Sequence, residues 1–376
     1  MDARIRPSRV EVDLEAVAAN VRALRALAAP TPLWAVVKAD GYGHGAVPVA
    51  RAALGAGAAG LAVALVEEGQ ALRAAGIDAR VLLLSEPPVA GARAVVEAAI
   101  EPTVYSAEVI AALAAVAADA DRPQAVHLKV DTGMHRVGAA PEDVVALAAA
   151  VDRAPALRLA SVWTHLAVAD EPERELTAVQ LRRFDEAVAA VEVAGIAVPE
   201  RHAANSAGLI AHPAARLDLV RAGIAIYGIA PSPEVAGMVE LRPALRLVSA
   251  VSHVKTVAAG EGVSYGLRWA PEEDTVVATV PIGYADGVRR RLGGLGAEVL
   301  VGGRRRRIAG TVTMDQILVD CGPGSAVARG DEVVLIGRQG DEEITAEDWA
   351  ERLGTIGYEI TCGLGPRLPR THTGNG

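Results

Sequence analysis

Residues 33–45 read LWAVVKADGYGHG. LWAVVKA (33–39) is an apolar, β-branched run of strand length, and a glycine-rich turn follows it. An open, doubly wound sheet would carry a GxGxxG phosphate turn after such a strand. KADGYGHG has a different spacing, which turns the reading toward a closed barrel. Seven further strand candidates lie outward from this one: GLAVAL (60–65), RVLLLS (80–85), PTVYS (102–106), AVHLKVD (125–131), LASVWTHL (159–166), ERHAANS (200–206) and LDLVRAGI (217–224). Helical patterns separate most of them. One more, DLEAVAANVRALRALA (13–28), precedes the first strand, and Asp13 suits its N-cap. Eight strands alternating with helices over about 200–250 residues predict a (β/α)8 barrel of the TIM type.

Near residue 240 the pattern changes. From ALRLVSAVSHVKTV (244–257) onward, short alternating runs are broken by Gly, Pro and Asp turns, as in TVVATVPIG (275–283), AEVLVGG (297–303), RRIAGTVT (306–313), QILVDCG (316–322) and DEVVLIG (331–337). The expected organisation is an α/β barrel domain over 1–240 and a mostly-β domain over 241–376, with EVAGMVELRP (234–243) as linker. TAEDWAERLG (345–354) reads as one late helix opening on a Thr345–Asp348 capping box.

Of the 376 residues, 51% are hydrophobic and 22% charged, which suits a large packed core and excludes a disordered chain. A formal net charge of -9 offers no overall positive field to nucleic acid. The runs Arg289–Arg291 and Arg304–Arg307 have no stacking aromatics between them and read as solvated faces, with Arg290 available to guide a carboxylate. The opening MDARIRPSRVEVDLE has no apolar signal segment and no run approaches a membrane span, so a soluble, cytoplasmic protein is expected, with no membrane partner. Cys321 and Cys362 make no ligand spacing and the eight histidines form no HxxxH cluster, so no metal is expected, and buried free thiols are preferred to a disulfide.

Barrel enzymes carry their chemistry at the C-terminal ends of the strands. Those ends supply Lys38, Lys129 with Asp131, His165, Asn205 with Ser206, and Arg221. The chain has only three lysines, Lys38, Lys129 and Lys255, so each invites inspection. A lysine that closes an apolar strand is partly desolvated, which lowers its pKa and frees its amine for Schiff-base chemistry; a lysine snorkelling out of the strand end is the bland alternative. Two chemistries suit a Schiff-base Lys38: direct attack on a substrate carbonyl, or attachment of pyridoxal phosphate (PLP). The loops after the seventh and eighth strands hold the phosphate site of many barrels. Here they offer the Ser206 hydroxyl and the N–H groups of Gly223 and Ile224, with Tyr42 as a further donor. Gly223 fits a plain turn as well. PLP enzymes set an Asp or an Arg against the pyridine nitrogen. Arg221 gives up no proton, so the ring would stay a weak electron sink, suited to brief carbanion formation with fast reprotonation. In so Arg-rich a chain, a surface ion pair explains Arg221 equally.

The motif AVVKADGYGHG (35–45) resembles the cofactor-attachment signature of bacterial alanine racemases. HLKVDTGMHRVG (127–138), SVWTHLAVAD (161–170), HAANSAG (202–208), VRAGIAIYG (220–228), VSYGLRW (263–269), PIGYADG (281–287), TMDQ (313–316), GTIGYEI (354–360) and GPRLPR (365–370) are similar to that family's other motifs, in the same order. The resemblance implies a PLP-dependent homodimer of an N-terminal barrel and a C-terminal β domain. It makes Lys38 the covalent anchor of PLP. Tyr42, Ser206, Tyr358 and the backbone at Gly223 and Ile224 become the ligands of its phosphate, and Asn205 is a further cofactor-binding residue. Arg221, supported by His202, faces the ring nitrogen. Arg136 lies near the cofactor's phenolic oxygen and the substrate carboxylate, which Met314 also holds through its backbone. His165 bonds to Tyr265, a residue the partner subunit supplies to the active site. Lys129 matches a position carbamylated in some members, where it fixes Arg136. Thr311 stands where many members carry Arg, which alters the charge pattern of the substrate channel; Thr313 is a milder change.

Racemisation removes a proton from one face of Cα and returns one to the other, so two opposed acid/base groups are expected. Lys38 serves one face and Tyr265 the other. A tyrosine ordinarily ionises near pH ~10, so it needs cations at hand, and His165 and Arg136 are the candidates. The expected function is interconversion of L- and D-alanine, supplying D-alanine for peptidoglycan. A racemase of broader or serine specificity is the enzyme alternative, and a non-catalytic PLP-binding protein is the alternative of a different class.

Overall fold

The structure is a computed structural model and describes residues 5–120 and 122–374; the extreme ends of the two expected domains lie outside the described residues. The chain forms two compact units. One comprises Glu15–Tyr42 and Ala46–Arg242; the other takes the chain through Leu14, Gly43–Gly45 and the chain from Pro243 onward.

The first strand, β1 (Arg9–Asp13), belongs to the second unit. The first unit is a barrel of eight parallel strands: β2 (Leu33–Val36), β3 (Gly60–Val63), β4 (Val81–Leu83), β5 (Glu101–Val104), β6 (Gln124–Lys129), β7 (Leu157–Trp163), β8 (Arg201–His202) and β9 (Val220–Ala222). Each falls on one of the eight sequence runs. Neighbours in sequence pair in register from β2 to β8, and β9 returns to β2. Backbone bonds from Asp218 N–H to Arg201 O and from Arg221 N–H to Ala204 O, both 3.0 Å, close the ring. Parallel strands covered on both faces need unbroken apolar runs, and every residue of β2, β3 and β4 is buried. The outer helix Leu14–Ala28 turns Val17, Val21, Leu24 and Ala28 inward at helical spacing. Unlike an ordinary barrel filled with Val, Ile and Leu, this one buries Thr103, His127, Ser161, His202 and Arg221.

The second unit is mostly β. Its larger sheet joins β1 to β10 (Leu245–Ala250), β13 (Glu298–Val301), β14 (Arg304–Arg307), β16 (Glu332–Gln339), β17 (Glu342–Ile344) and β18 (Arg370–Thr373), and a second sheet joins β11 (His253–Val257), β12 (Thr275–Val280) and β15 (Ile317–Gly322). The reading of 1–240 as barrel therefore needs a correction at its start. RVEVD alternates, with Val10 and Val12 fully buried, and it pairs antiparallel with β10 and parallel with β18. Five residues abutting a strong helical pattern carry too little signal to stand out. The late helix Ala346–Leu353 opens on the expected capping box, with reciprocal Thr345 and Asp348 bonds of 2.8 and 3.1 Å. Neither Cys321 nor Cys362 is in a disulfide, but Cys362 is exposed, against the expectation of burial. Among the described residues no helix is long and apolar enough to cross a membrane.

Candidate active site

The turn after β2 delivers Lys38. Ala39, Asp40, Gly41 and Tyr42 all have φ between 51° and 61°, a left-handed turn. Such a turn costs about 1–2 kcal/mol per non-glycine residue, so it needs holding. The Gly41 N–H bonds to Val37 O at 2.9 Å. The Ala39 N–H donates to Glu68 Oε1 at 2.6 Å and the Ala46 N–H to Asp40 Oδ1 at 2.8 Å. The other Glu68 oxygen accepts the N–H groups of Ala64 and Leu65, tying the turn to the loop after β3. Lys38 is left half-buried. Tyr42 is buried with its ring 5.0 Å from that of Tyr227, whose hydroxyl donates to Val36 O at 2.9 Å.

Positive charge gathers at this end of the barrel. Lys129, the last residue of β6, is 3% exposed. Its Nζ lies 4.5 Å from the centre of the Trp163 ring, as does the Arg221 guanidinium carbon. Burial, then Arg136, Arg221 and Lys38, push the Lys129 amine down to about 7. Burial and the same four cations hold the His165 imidazole well below its usual pKa, so it is neutral. Arg221 lies in β9, and burial alone lowers it to about 9. Its hydrogen-bond partners are neutral: His202 Nδ1 at 2.5 Å, Thr164 O at 2.9 Å, Ala203 O at 3.0 Å and His165 Nδ1 at 3.5 Å. The carboxylate acting on Lys129 is Asp131, and its Oδ1 is taken up by the N–H groups of Gly133, Met134 and His135 at 2.9–3.0 Å. That turn leads to Arg136, which is exposed. A buried guanidinium with no carboxylate partner among the described residues, beside three more cations, suits an anionic ligand.

A second feature points the same way. A Cβ on Gly223 would stand 2.6 Å from the Tyr42 hydroxyl, so only glycine leaves room there. The Ser206 hydroxyl accepts the Gly223 N–H at 2.8 Å, and Ile224 opens the buried turn that follows. A glycine backbone, a serine hydroxyl and a tyrosine hydroxyl meet here, the kinds of group that take a phosphate. Asn205 has a different occupation. It caps the short helix Ser206–Ala211, accepting the Gly208 N–H at 2.9 Å, and so fixes the start of the helix that carries Ser206.

The barrel unit thus brings together Lys38, Tyr42, Lys129, Arg136, His165, His202, Ser206, Arg221, Gly223 and Ile224. Tyr265, Met314 and Tyr358 lie in the second unit. Tyr265 is 74% exposed and Met314 is 53% exposed; Tyr358 is half-buried in the helix Gly357–Cys362. Thr311 has a clear task. Its hydroxyl donates to Tyr265 O at 2.8 Å, and its carbonyl accepts the Ser264 hydroxyl at 2.6 Å. The loop of Tyr284 is strapped to the same segment by bonds to Thr313 O and Met314 O. Glu68 and Trp163 were not singled out from the sequence, and Thr311 stood out there only for its effect on the charge of the substrate channel, not for its hold on Tyr265. Glu68 and Thr311 act on backbone atoms distant in the chain, and no local pattern marks that. Trp163 alternates with Ser161 on β7, a period-2 signal that could have marked it as facing inward.

The chain is similar to known proteins over its whole length. The family Alanine racemase, N-terminal domain, matches residues 12–231, and the family Alanine racemase, C-terminal domain, matches residues 244–372. An alanine racemase of Symbiobacterium thermophilum is 48% identical over 370 residues, covering 98% of each chain. The crystal structure of alanine racemase from D-cycloserine-producing Streptomyces lavendulae has a TM-score of 0.92 at 43% identity, covering 99% of this chain and 98% of its own. That of Streptomyces coelicolor A3(2) has a TM-score of 0.93 at 43% identity, covering all of both chains.

Proposed function

The chain belongs to the alanine racemase family and is a racemase enzyme, and from that premise we propose that it moves the Cα proton of alanine with two residues, Lys38 and Tyr265, working at a PLP cofactor. The observation that carries the reading is the convergence of Lys38, Lys129, Arg136 and Arg221 at one end of the barrel, where Asp131 is the carboxylate that acts on Lys129. The groups that meet at Gly223 and the buried Arg221 fit PLP, whose phosphate and phenolic oxygen bring negative charge.

Lys38 anchors the cofactor through its amine. Tyr42, Ser206, Gly223, Ile224 and, by the family pattern, Tyr358 hold the phosphate, with Asn205 as a further cofactor-binding residue. When bound, PLP supplies a conjugated sink that stabilises negative charge at Cα. Arg221 serves the ring nitrogen. As a group that does not release its proton there, it keeps the sink weak and favours return of the proton over transfer of the amino group. Lys38 takes or gives the proton on one face of Cα and Tyr265, from the partner subunit of a homodimer, on the other. His165, which its burial and cationic surroundings keep neutral and which is therefore not one of the cations expected to aid Tyr265, is the hydrogen-bond partner of Tyr265; Arg136 remains as the cation. Arg136 and the Met314 backbone orient the substrate carboxylate, and Lys129, carbamylated, fixes Arg136. The protein acts in the cytoplasm, and its product D-alanine serves cell-wall peptidoglycan.

The test is incubation of PLP-loaded protein with L-alanine in heavy water, followed by chiral separation and mass analysis. D-alanine deuterated at Cα is expected. No exchange despite bound cofactor would favour another substrate, serine first, or a binding role. Tyr265→Phe should abolish most racemisation while PLP stays bound; unchanged racemisation would end the two-residue assignment.

A further inference from the structure

One polar chain crosses the barrel interior and reaches the site from the opposite direction. Arg80 grips Glu101 with two bonds of 2.9 Å. Glu101 Oε2 lies 2.8 Å from His127 Nε2, and His127 Nδ1 lies 2.6 Å from Ser161 Oγ. Ser161 Oγ lies 2.8 Å from His202 Nε2, and His202 Nδ1 lies 2.5 Å from Arg221 NH1. His127, Ser161 and His202 are fully buried. They stand on three neighbouring strands, β6, β7 and β8, with His127 opposite Ser161 in register.

The donor inventory allows one fully satisfied arrangement of protons. Arginine only donates, so His202 Nδ1 accepts and its proton sits on Nε2. That proton goes to Ser161, whose own hydroxyl then donates to His127 Nδ1. His127 must carry its proton on Nε2 and donate it to the Glu101 carboxylate. Burial pushes the Glu101 carboxyl up, but bonds from His127 and Arg80 outweigh it and hold it at about 2, so it is ionised. A cation that only donates ends the chain at one side and an anion that only accepts ends it at the other.

We propose that Glu101, at the far end of the barrel, is a positioning residue for the racemisation, acting through His127 and Ser161 to fix the Nε2–H tautomer of His202 and thereby the set of the Arg221 guanidinium. The reaction role rests on the reading of Arg221 as the ring-nitrogen partner. His202 also stacks on Trp163, with centroids 5.4 Å apart and planes at 14°, and Arg221 lies over the same ring. A ring held flat against an indole can answer a lost bond only by changing tautomer or by releasing Arg221. Glu101→Gln offers no clean substitute: whichever way the amide faces, its NH2 meets a donor of Arg80 or the His127 Nε2–H.

The test is solid-state nitrogen NMR of the holoenzyme and the apoenzyme labelled at histidine, read beside steady-state kinetics. In the unaltered protein His127 and His202 should both be neutral with the proton on Nε2; a proton on Nδ1 of His202 would overturn the proposal without any variant. In Glu101→Gln and Ser161→Ala the His202 signal should change, and kcat should fall about tenfold with KM within about twofold. A fall in kcat with the His202 signal unchanged would mean a merely structural role and would overturn it, as would an unchanged kcat. If the unaltered protein racemised no alanine, the functional reading would fail and the reaction role with it, while the nitrogen signals would still judge the tautomer relay.

Discussion

Replacing Lys129 by glutamine removes one of four positive charges gathered at one end of the barrel. The amine is held down to about 7 by burial and then by Arg136, Arg221 and Lys38. At pH 7 about half of it is neutral, against about 0.03% for an ordinary lysine, a gain of roughly a thousandfold in the nucleophilic form. A neutral amine adds to carbon dioxide with loss of a proton, forming an N–C bond and a carbamate. That turns a cation into an anion among three cations, and their attraction favours the product. The same shift has a sign in stability. The unfolded chain binds the Lys129 proton up to about 10.5 and the folded chain only up to about 7, so stability rises with pH across that window, by at most about 5 kcal/mol. Holoenzyme equilibrated with 13C-bicarbonate should give one lysine carbamate signal, growing as pH rises through about 7 and absent in Lys129→Gln. Lys38 and Lys255 are the only other lysines, which keeps the spectrum simple. A Lys129 amine titrating near its ordinary ~10.4, with no carbamate at saturating bicarbonate, would refute the electrostatic reasoning.

Gly223→Ala would put a methyl group 2.6 Å from the Tyr42 hydroxyl, in a ring backed by Tyr227; PLP affinity should fall about tenfold or more by absorbance titration, since a displaced ligand of a charged group is worth roughly 1.5–3 kcal/mol. Thr311→Val removes the donor to Tyr265 O, and kcat should fall several-fold with PLP affinity unchanged. Thr345→Ala deletes one arm of a capping box and should lower stability by about 1 kcal/mol in urea unfolding. Glu101 titrates near 2 when folded, against 4.5 as its ordinary value. Its stabilisation is therefore fully present above about 4.5 and is lost as pH falls toward about 2. Glu101→Gln should flatten that acid limb of the unfolding profile.

The apolar strand runs were legible because a parallel strand buried on both faces is mostly apolar and a one-dimensional pattern records that; ERHAANS (200–206), whose strand is Arg201–His202, is the polar exception. Lys38, Lys129, His165 and Arg221 were legible because polar residues interrupt those runs at the strand ends. The capping box at Thr345 was legible because both of its partners lie within one turn. β1 was hidden because its partners, β10 and β18, lie more than 200 residues away. Glu68 holding the Lys38 turn, Thr311 holding Tyr265, and the passage from Glu101 to Arg221 depend on which side chains meet across closed strands. The sequence by itself determined the order of the strands and the residue types at their ends. The tertiary structure alone decided that four cations share one neighbourhood and that an unbroken hydrogen-bonded row links Glu101 to Arg221 through the core, because charge coupling and hydrogen bonding depend on distances between atoms remote in the chain.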